Sequence, residues 1–192
     1  HPDEWDTYTR FYEAAAAYVR LVLPHVQVGV TVTFGGIEAY PEQVARLNAT
    51  SDIFIMTYYP LNADFSPRDP EAPLTDFPLM LAAAGEKPLI LQEVGYPAGT
   101  SLDSSEADQA AFVHHVFDAW ATAGDRIPFL NFFAMGDFSR QMCTDFLVYY
   151  QLPDSQRFYD FLCTLGLRKA DGTPKAGWEA FVEEGTKRQS SQ

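Results

Sequence analysis

The chain has 192 residues, of which 47% are apolar and 15% aromatic, and 26 acidic side chains stand against 13 basic ones for a net charge of −13. Apolar content this high excludes a disordered chain, and the length is enough to bury a core. The longest apolar runs fall far short of the roughly 20 residues that span a bilayer, and the acidic surplus repels phosphate backbones and anionic lipid. We therefore expect no membrane span and no nucleic-acid partner.

The first segment, Glu4 to Leu23, places Trp5, Tyr8, Phe11, Tyr12, Ala15, Val19 and Val22 at a period near 3.6, which predicts an amphipathic helix ended by Pro24. Val26 to Phe34 is β-branched and alternating, a strand, and Gly35-Gly36 break it before a short helix over Pro41 to Ala49. Asp52 to Tyr59 reads as the second strand. Five prolines follow between Pro60 and Pro78 and forbid regular structure until about Thr75, where a helix to Ala84 begins, capped by Gly85. Pro88 to Val94 is the third strand. Ser104-Ser105-Glu106 opens a helix that runs to Gly124. Ile127 to Met135 is the fourth strand, and an irregular stretch leads to a helix over Ser155 to Leu165. A turn at Asp171-Gly172, a short helix and a frayed polar tail close the chain.

Strands separated by helical stretches require parallel crossovers. Two architectures fit: an open doubly wound sheet, or about half of an eight-stranded (β/α) barrel, which needs about 250 residues when complete. In either, the working residues lie at the C-terminal ends of the strands. Those ends read Thr33-Phe34-Gly35-Gly36, Thr57-Tyr58-Tyr59-Pro60, Gln92-Glu93-Val94-Gly95-Tyr96 and Asn131 through Asp137. Glu93 stands out, because a carboxylate closing an apolar strand is costly to bury without a partner or a task. A strand-end acid that pairs with an arginine or accepts backbone hydrogen bonds is the equal alternative. Tyr58, at the end of the neighbouring strand, could donate a hydrogen bond to Glu93.

Several segments resemble a known family. KPLILQEVGYP, Lys87 to Pro97, resembles the seventh-strand nucleophile segment of retaining glycoside hydrolases of the large (β/α)₈ clan of β-galactosidases, endo-galactanases and endo-glucanases, where a Glu closes the strand ahead of a glycine and an aromatic residue. DIFIMTYYPL, Asp52 to Leu61, is similar to the clan's sixth strand, VGVTVTFGG to its fifth, and LGLRKADGTPKAGWEAF, Leu165 to Phe181, to its common ending. The resemblance implies that residues 1–192 form one (β/α) barrel segment, strands five to eight of a TIM barrel with their helices. It implies an enzyme that hydrolyses O-glycosidic bonds of an oligo- or polysaccharide with retention, needing no cofactor and no metal. Glu93 is then the nucleophile and Tyr58 its orienting donor, with Tyr59 the alternate to Tyr58. Such chemistry needs two carboxyl groups about 5 to 5.5 Å apart, and a hydrogen-bond donor keeps the nucleophile ionised. Tyr59, Tyr96, Phe133 and Phe138 fall on the expected active face, where aromatic rings suit sugar faces; core packing is their alternative. Asp137 is read as a ligand for a sugar hydroxyl or as a turn cap.

Two features depart from the clan's pattern. Its acid/base is a Glu after an Asn, and the chain contains no Asn-Glu dipeptide; the acid/base is expected from a missing N-terminal half, which leaves the segment alone inactive. The eighth strand commonly ends in Trp, where this chain has Phe133 or Met135. A non-catalytic carbohydrate-binding or assembly module on the same fold is therefore the rival reading. His114-His115 lack the spacing of a zinc helix. Open edges of a half barrel invite self-association. Cys143 and Cys163 are too few for a disulfide scaffold and can form one disulfide or remain buried thiols. The polar start HPDEWDTY is no signal peptide. The chain is therefore expected to be a segment of a longer precursor; its compartment is open, with a secreted location favoured.

Overall fold

The computed structural model describes residues 2–189, with side chains from 4 to 188; the last residues of the polar tail lie outside that range. The elements run α1 (Pro2–Val22), β1 (Thr31–Thr33), α2 (Phe34–Ala39), α3 (Pro41–Leu47), β2 (Phe54–Tyr58), α4 (Ala72–Ala84), β3 (Leu89–Val94), α5 (Glu106–Ala123), β4 (Phe129–Phe132), α6 (Arg140–Tyr149), α7 (Gln156–Cys163) and α8 (Ala176–Gln189). The strands form one open sheet in the order β1-β2-β3-β4, with β1 parallel to β2 and Thr31 opposite Ile55. This is the parallel β/α arrangement expected.

The differences from expectation have local causes. β1 is much shorter than Val26 to Phe34, because upstream of it Val28 is tied to Asp52 instead, through its carbonyl (2.8 Å) and its N–H (2.8 Å to the carboxylate). Gly29 permits that crossing, since a Cβ there would lie 2.6 Å from the Ile53 carbonyl oxygen. Gly35-Gly36 do not merely break the strand: Thr33 caps a helix there, its hydroxyl accepting from Gly36 N–H at 3.0 Å. α4 starts three residues before Thr75, with Pro73 in its first turn, where a missing N–H costs nothing. Within α4, Pro78 removes one backbone hydrogen bond. α6 replaces the expected irregular stretch: Cys143 is its only buried residue, so no apolar stripe marks it in the sequence, and Ser139 caps it by accepting from Met142 N–H at 3.2 Å. α8 extends through the polar tail as far as Gln189 and is closed by Lys187 pairing with Glu183 and Glu184, each at 2.8 Å.

The chain divides into two compact units. The first comprises residues up to Tyr58, Pro78–Glu93 and Ala123–Asn131. Its core is one face of the sheet: Val32, Phe54, Met56, Tyr58, Leu89 and Leu91 are buried. The alternating residues Thr31, Thr33, Ile55, Thr57, Ile90 and Gln92 are half-buried or exposed, and Thr31 Oγ1 donates to Gln92 Oε1 at 2.8 Å on that side. α2 packs on β1 and β2, and α3 joins α1 to α2. Polar ties fix the strand starts. Arg20 holds Asp52 (2.9 Å), the Tyr12 and Ser51 hydroxyls share a hydrogen bond at 2.8 Å, and Lys87 and Arg126 donate to the carbonyls of Asn48 and Gly85.

The second unit comprises Tyr59–Phe77, Val94–Thr122 and Phe132 onward. One apolar cluster gathers Leu102, Ala134, Phe158, Phe161, Leu162 and Leu165, and a second gathers Val113, Phe117, Leu167 and Ala180. Cys143 and Cys163 form a disulfide between α6 and the end of α7, with Cα atoms 6.0 Å apart, so the disulfide alternative is the one the fold adopts. No described helix is long and apolar enough to cross a membrane.

Candidate active site

In the first unit, β2 and β3 are neighbours and each carries a candidate at its C-terminal end. Tyr58, the last residue of β2, is 0% exposed and its ring meets Phe34 edge-on at 5.4 Å between centroids. Glu93 is the penultimate residue of β3. Strict alternation after Leu89 and Leu91 would close Glu93 and open Val94. Instead Gln92 is exposed, Glu93 is half-buried and Val94 is closed. The strand therefore ends with one exposed and one half-buried polar residue in succession. Asn131 of β4 steadies that point, its Nδ2 donating to the Gln92 carbonyl at 3.1 Å. Thr31, Gln92 and Asn131 were not singled out from the sequence. Their signal is present, since polar residues recur at the alternate positions of otherwise apolar strands.

In the second unit, Tyr59 is half-buried and meets Phe133 edge-on at 6.1 Å and Phe161 at 5.6 Å. Gly95 makes room for that ring, since a Cβ there would lie 2.7 Å from it. Phe133 is 37% exposed and also meets Phe138, at 6.0 Å. Tyr96 and Asp137 are engaged with their own unit. Tyr96 is buried and stacked on Phe112 at 4.9 Å, and its hydroxyl donates to the Arg68 carbonyl at 2.7 Å. Burial, then the charges of Asp108 and Asp69, push its hydroxyl well above the usual phenol range. Asp137 accepts from Gly166 N–H at 2.9 Å and from Lys175 Nζ at 2.6 Å, the turn-closing role that was its alternative to a sugar contact. Burial raises its carboxyl above the ordinary range against the pull of Lys175. His114 Nδ1 lies 2.8 Å from Glu184 Oε1 of α8. Among the described residues no three His, Cys, Asp or Glu side chains gather as metal ligands.

No protein-family model matches the chain, and no curated protein matches it. Solved structures do. A family 17 β-1,3-glucanosyltransferase from Rhizomucor miehei superposes with a TM-score of 0.55 and 17% identity over 88% of this chain. An exo-β-1,4-mannosidase from an Opitutaceae bacterium gives 0.62 and 19% over 90%. A thermostable mutant of a xylanase from Cellvibrio japonicus gives 0.61 and 12% over 93%. The fold is that of part of a (β/α)₈ barrel, and these neighbours are glycoside hydrolases. The chain spans 56%, 30% and 54% of those three chains, about a third to a half of their length.

In a glycoside-hydrolase barrel, as in other parallel barrels, chemistry is carried at the C-terminal strand ends. Tyr58 and Glu93 hold that position on adjacent strands of the sheet. A carboxylate there can act as nucleophile or base, and a buried phenol on the next strand can act as a donor.

Proposed function

We propose that this chain is the nucleophile-bearing part of a retaining glycoside hydrolase. Glu93 attacks the anomeric carbon, and the bond from that carbon to the leaving oxygen breaks as an acid protonates the oxygen. Water then hydrolyses the glycosyl ester and frees Glu93. Tyr58 orients the carboxylate, and the acid/base comes from polypeptide outside this chain; taken by itself, the second unit presents Tyr59 and Phe133 as rings suited to a sugar face. The observation that carries the reading is the broken alternation at the end of β3, which leaves Glu93 half-buried where Val94 is closed. The barrel fold shared with glycoside hydrolases supports it.

The test is Glu93→Gln in the full-length protein. We expect turnover of β-linked oligosaccharides to fall on the order of 10³-fold or more, as for loss of a covalent nucleophile. A 2-fluoro glycoside should label a peptide containing Glu93. Near-normal turnover by the variant, or a label elsewhere, overturns the assignment. The isolated 192-residue chain should hydrolyse nothing measurable, because leaving-group protonation supplies roughly 10² to 10⁴-fold.

A further inference from the structure

We propose that the disulfide-tied pair α6 and α7 forms an additional carbohydrate-binding surface, on which Tyr149 and Tyr150 stack against pyranose rings of a neutral polysaccharide. The idea rests on the glycosidase reading above for its ligand class, and on separate residues for its geometry. α6 buries only Cys143, whereas Tyr149 and Tyr150 at its end are 76% and 53% exposed. Exposed aromatic rings on a free helix end would be mobile; these are held. Cys143–Cys163 fastens α6 to α7. The Tyr150 ring is wedged edge-on against Phe158 at 5.3 Å and against Tyr149 at 5.0 Å, with Phe146 at 6.2 Å. The backbone beyond is fixed too. Gln151 adopts a left-handed φ of 58°, and Leu152 N–H closes the turn onto the Leu147 carbonyl at 2.9 Å.

The two tyrosines also end a continuous series of rings. Tyr59, Phe133, Phe138, Phe146 and Tyr150 follow one another at centroid spacings of 6.1, 6.0, 5.6 and 6.2 Å, all within the second unit. The exposed pair is thus continuous with the two rings assigned above to sugar contact. The chemistry of the patch selects a neutral partner. The net charge of −13 repels anionic polymers and lipid. Preordered rings with a polar tip suit a ligand that has apolar C–H faces and hydroxyl edges. Asp145 and Gln151, both exposed, offer oxygen acceptors beside the rings.

The experiment is affinity electrophoresis of the full-length protein through native gels cast with a β-1,3-glucan, a β-1,4-mannan or a β-1,4-xylan. Wild type and Glu93→Gln should be retarded alike in at least one gel. Tyr149→Ala and Tyr150→Ala should each weaken binding about 3- to 10-fold, the range of one aromatic contact, while Tyr150→Phe binds as wild type. Circular dichroism checks that each variant folds, and Tyr149, 76% exposed, is the less packed of the two rings. Absence of retardation in every gel, or retardation unchanged in Tyr149→Ala, overturns the proposal. So does self-association in sedimentation that Tyr149→Ala abolishes without any effect of polysaccharide, since the patch would then face protein. The two readings fail separately. Normal turnover by Glu93→Gln removes the nucleophile and leaves the binding surface, whereas unchanged binding by the tyrosine variants removes the surface and leaves the nucleophile.

Discussion

Replacing Asp137 by Ala tests the most deeply buried ion pair described in the second unit. The Asp137 and Lys175 side chains are only 12% and 4% exposed and lie 2.6 Å apart. Burial already raises the Asp137 carboxyl above its ordinary range, so the penalty of the variant comes from the ammonium left behind, not from the carboxylate lost. Breaking a buried pair on one side costs about 3 to 5 kcal/mol. Lys175 keeps the carbonyls of Gly166 at 2.8 Å and Thr164 at 3.2 Å, which partly solvate it, so we expect the lower end, about 3 kcal/mol. For a chain of this size that lowers Tm by about 6 to 12 °C. Urea unfolding at pH 7, followed by tryptophan fluorescence, reads it, with Trp178 three residues on and its backbone N–H donating to the Lys175 carbonyl at 3.0 Å. The double variant Asp137→Leu/Lys175→Met should recover most of the loss, because apolar side chains replace a buried pair at little cost. A loss below about 1 kcal/mol for Asp137→Ala, or a double variant that loses the sum of the two singles, would refute the argument.

Three further outcomes are expected. Changing Cys143 and Cys163 to Ser opens a crosslink across a sequence separation of 20 and should cost about 3 kcal/mol; a wild-type urea midpoint that reductant does not move contradicts this. Gly177→Ala places a Cβ 2.6 Å from Gln109 Oε1, and Gln109 is 1% exposed with its Nε2 on the Tyr96 carbonyl at 2.8 Å. The variant should lose about 1 to 3 kcal/mol, while Gly185→Ala, with open space around it, should lose nothing; equal thermal midpoints for the two sink the steric argument. The Val28 N–H, and then Arg20, hold the Asp52 carboxyl below its usual range. Its contribution to stability is therefore complete above the unfolded carboxylate pKa, near 4, and is lost as pH falls toward the folded value. Thermal midpoints between about pH 5 and 3 should fall less steeply for Asp52→Asn than for wild type, and parallel slopes would dismiss the linkage.

Strand and helix order was legible because the buried face of each strand is written as apolar alternation, and α1 and α5 carry clear helical periods. What escaped has a common physical basis: side chains doing the work of the backbone. Thr33 turns a Gly-Gly break into a helix start, Ser139 starts α6 without an apolar stripe, and Asp52 captures Val28 ahead of the ladder. Such capping is local, and the same residues serve equally in turns. At the candidate site, position was readable and environment was not. Glu93 was placed by its apolar strand, but the open Gln92-Glu93 step depends on broken alternation that no spacing rule reports. Likewise Asp137 and Tyr96 differ from Tyr59 and Phe133 only in the partners that the tail and the loop after β2 bring to them, Lys175 to the one and the Arg68 carbonyl to the other.

The bond between Cys143 and Cys163 also dictates how the protein must be made if its aromatic surface is to be studied. Glutathione and thioredoxin keep thiols reduced in a bacterial cytosol. Material expressed there would reach the bench with α6 docked through ring contacts alone. Periplasmic expression, or refolding under a glutathione couple, delivers the closed form, and comparing the two preparations would separate what the crosslink adds from what the aromatic packing already secures.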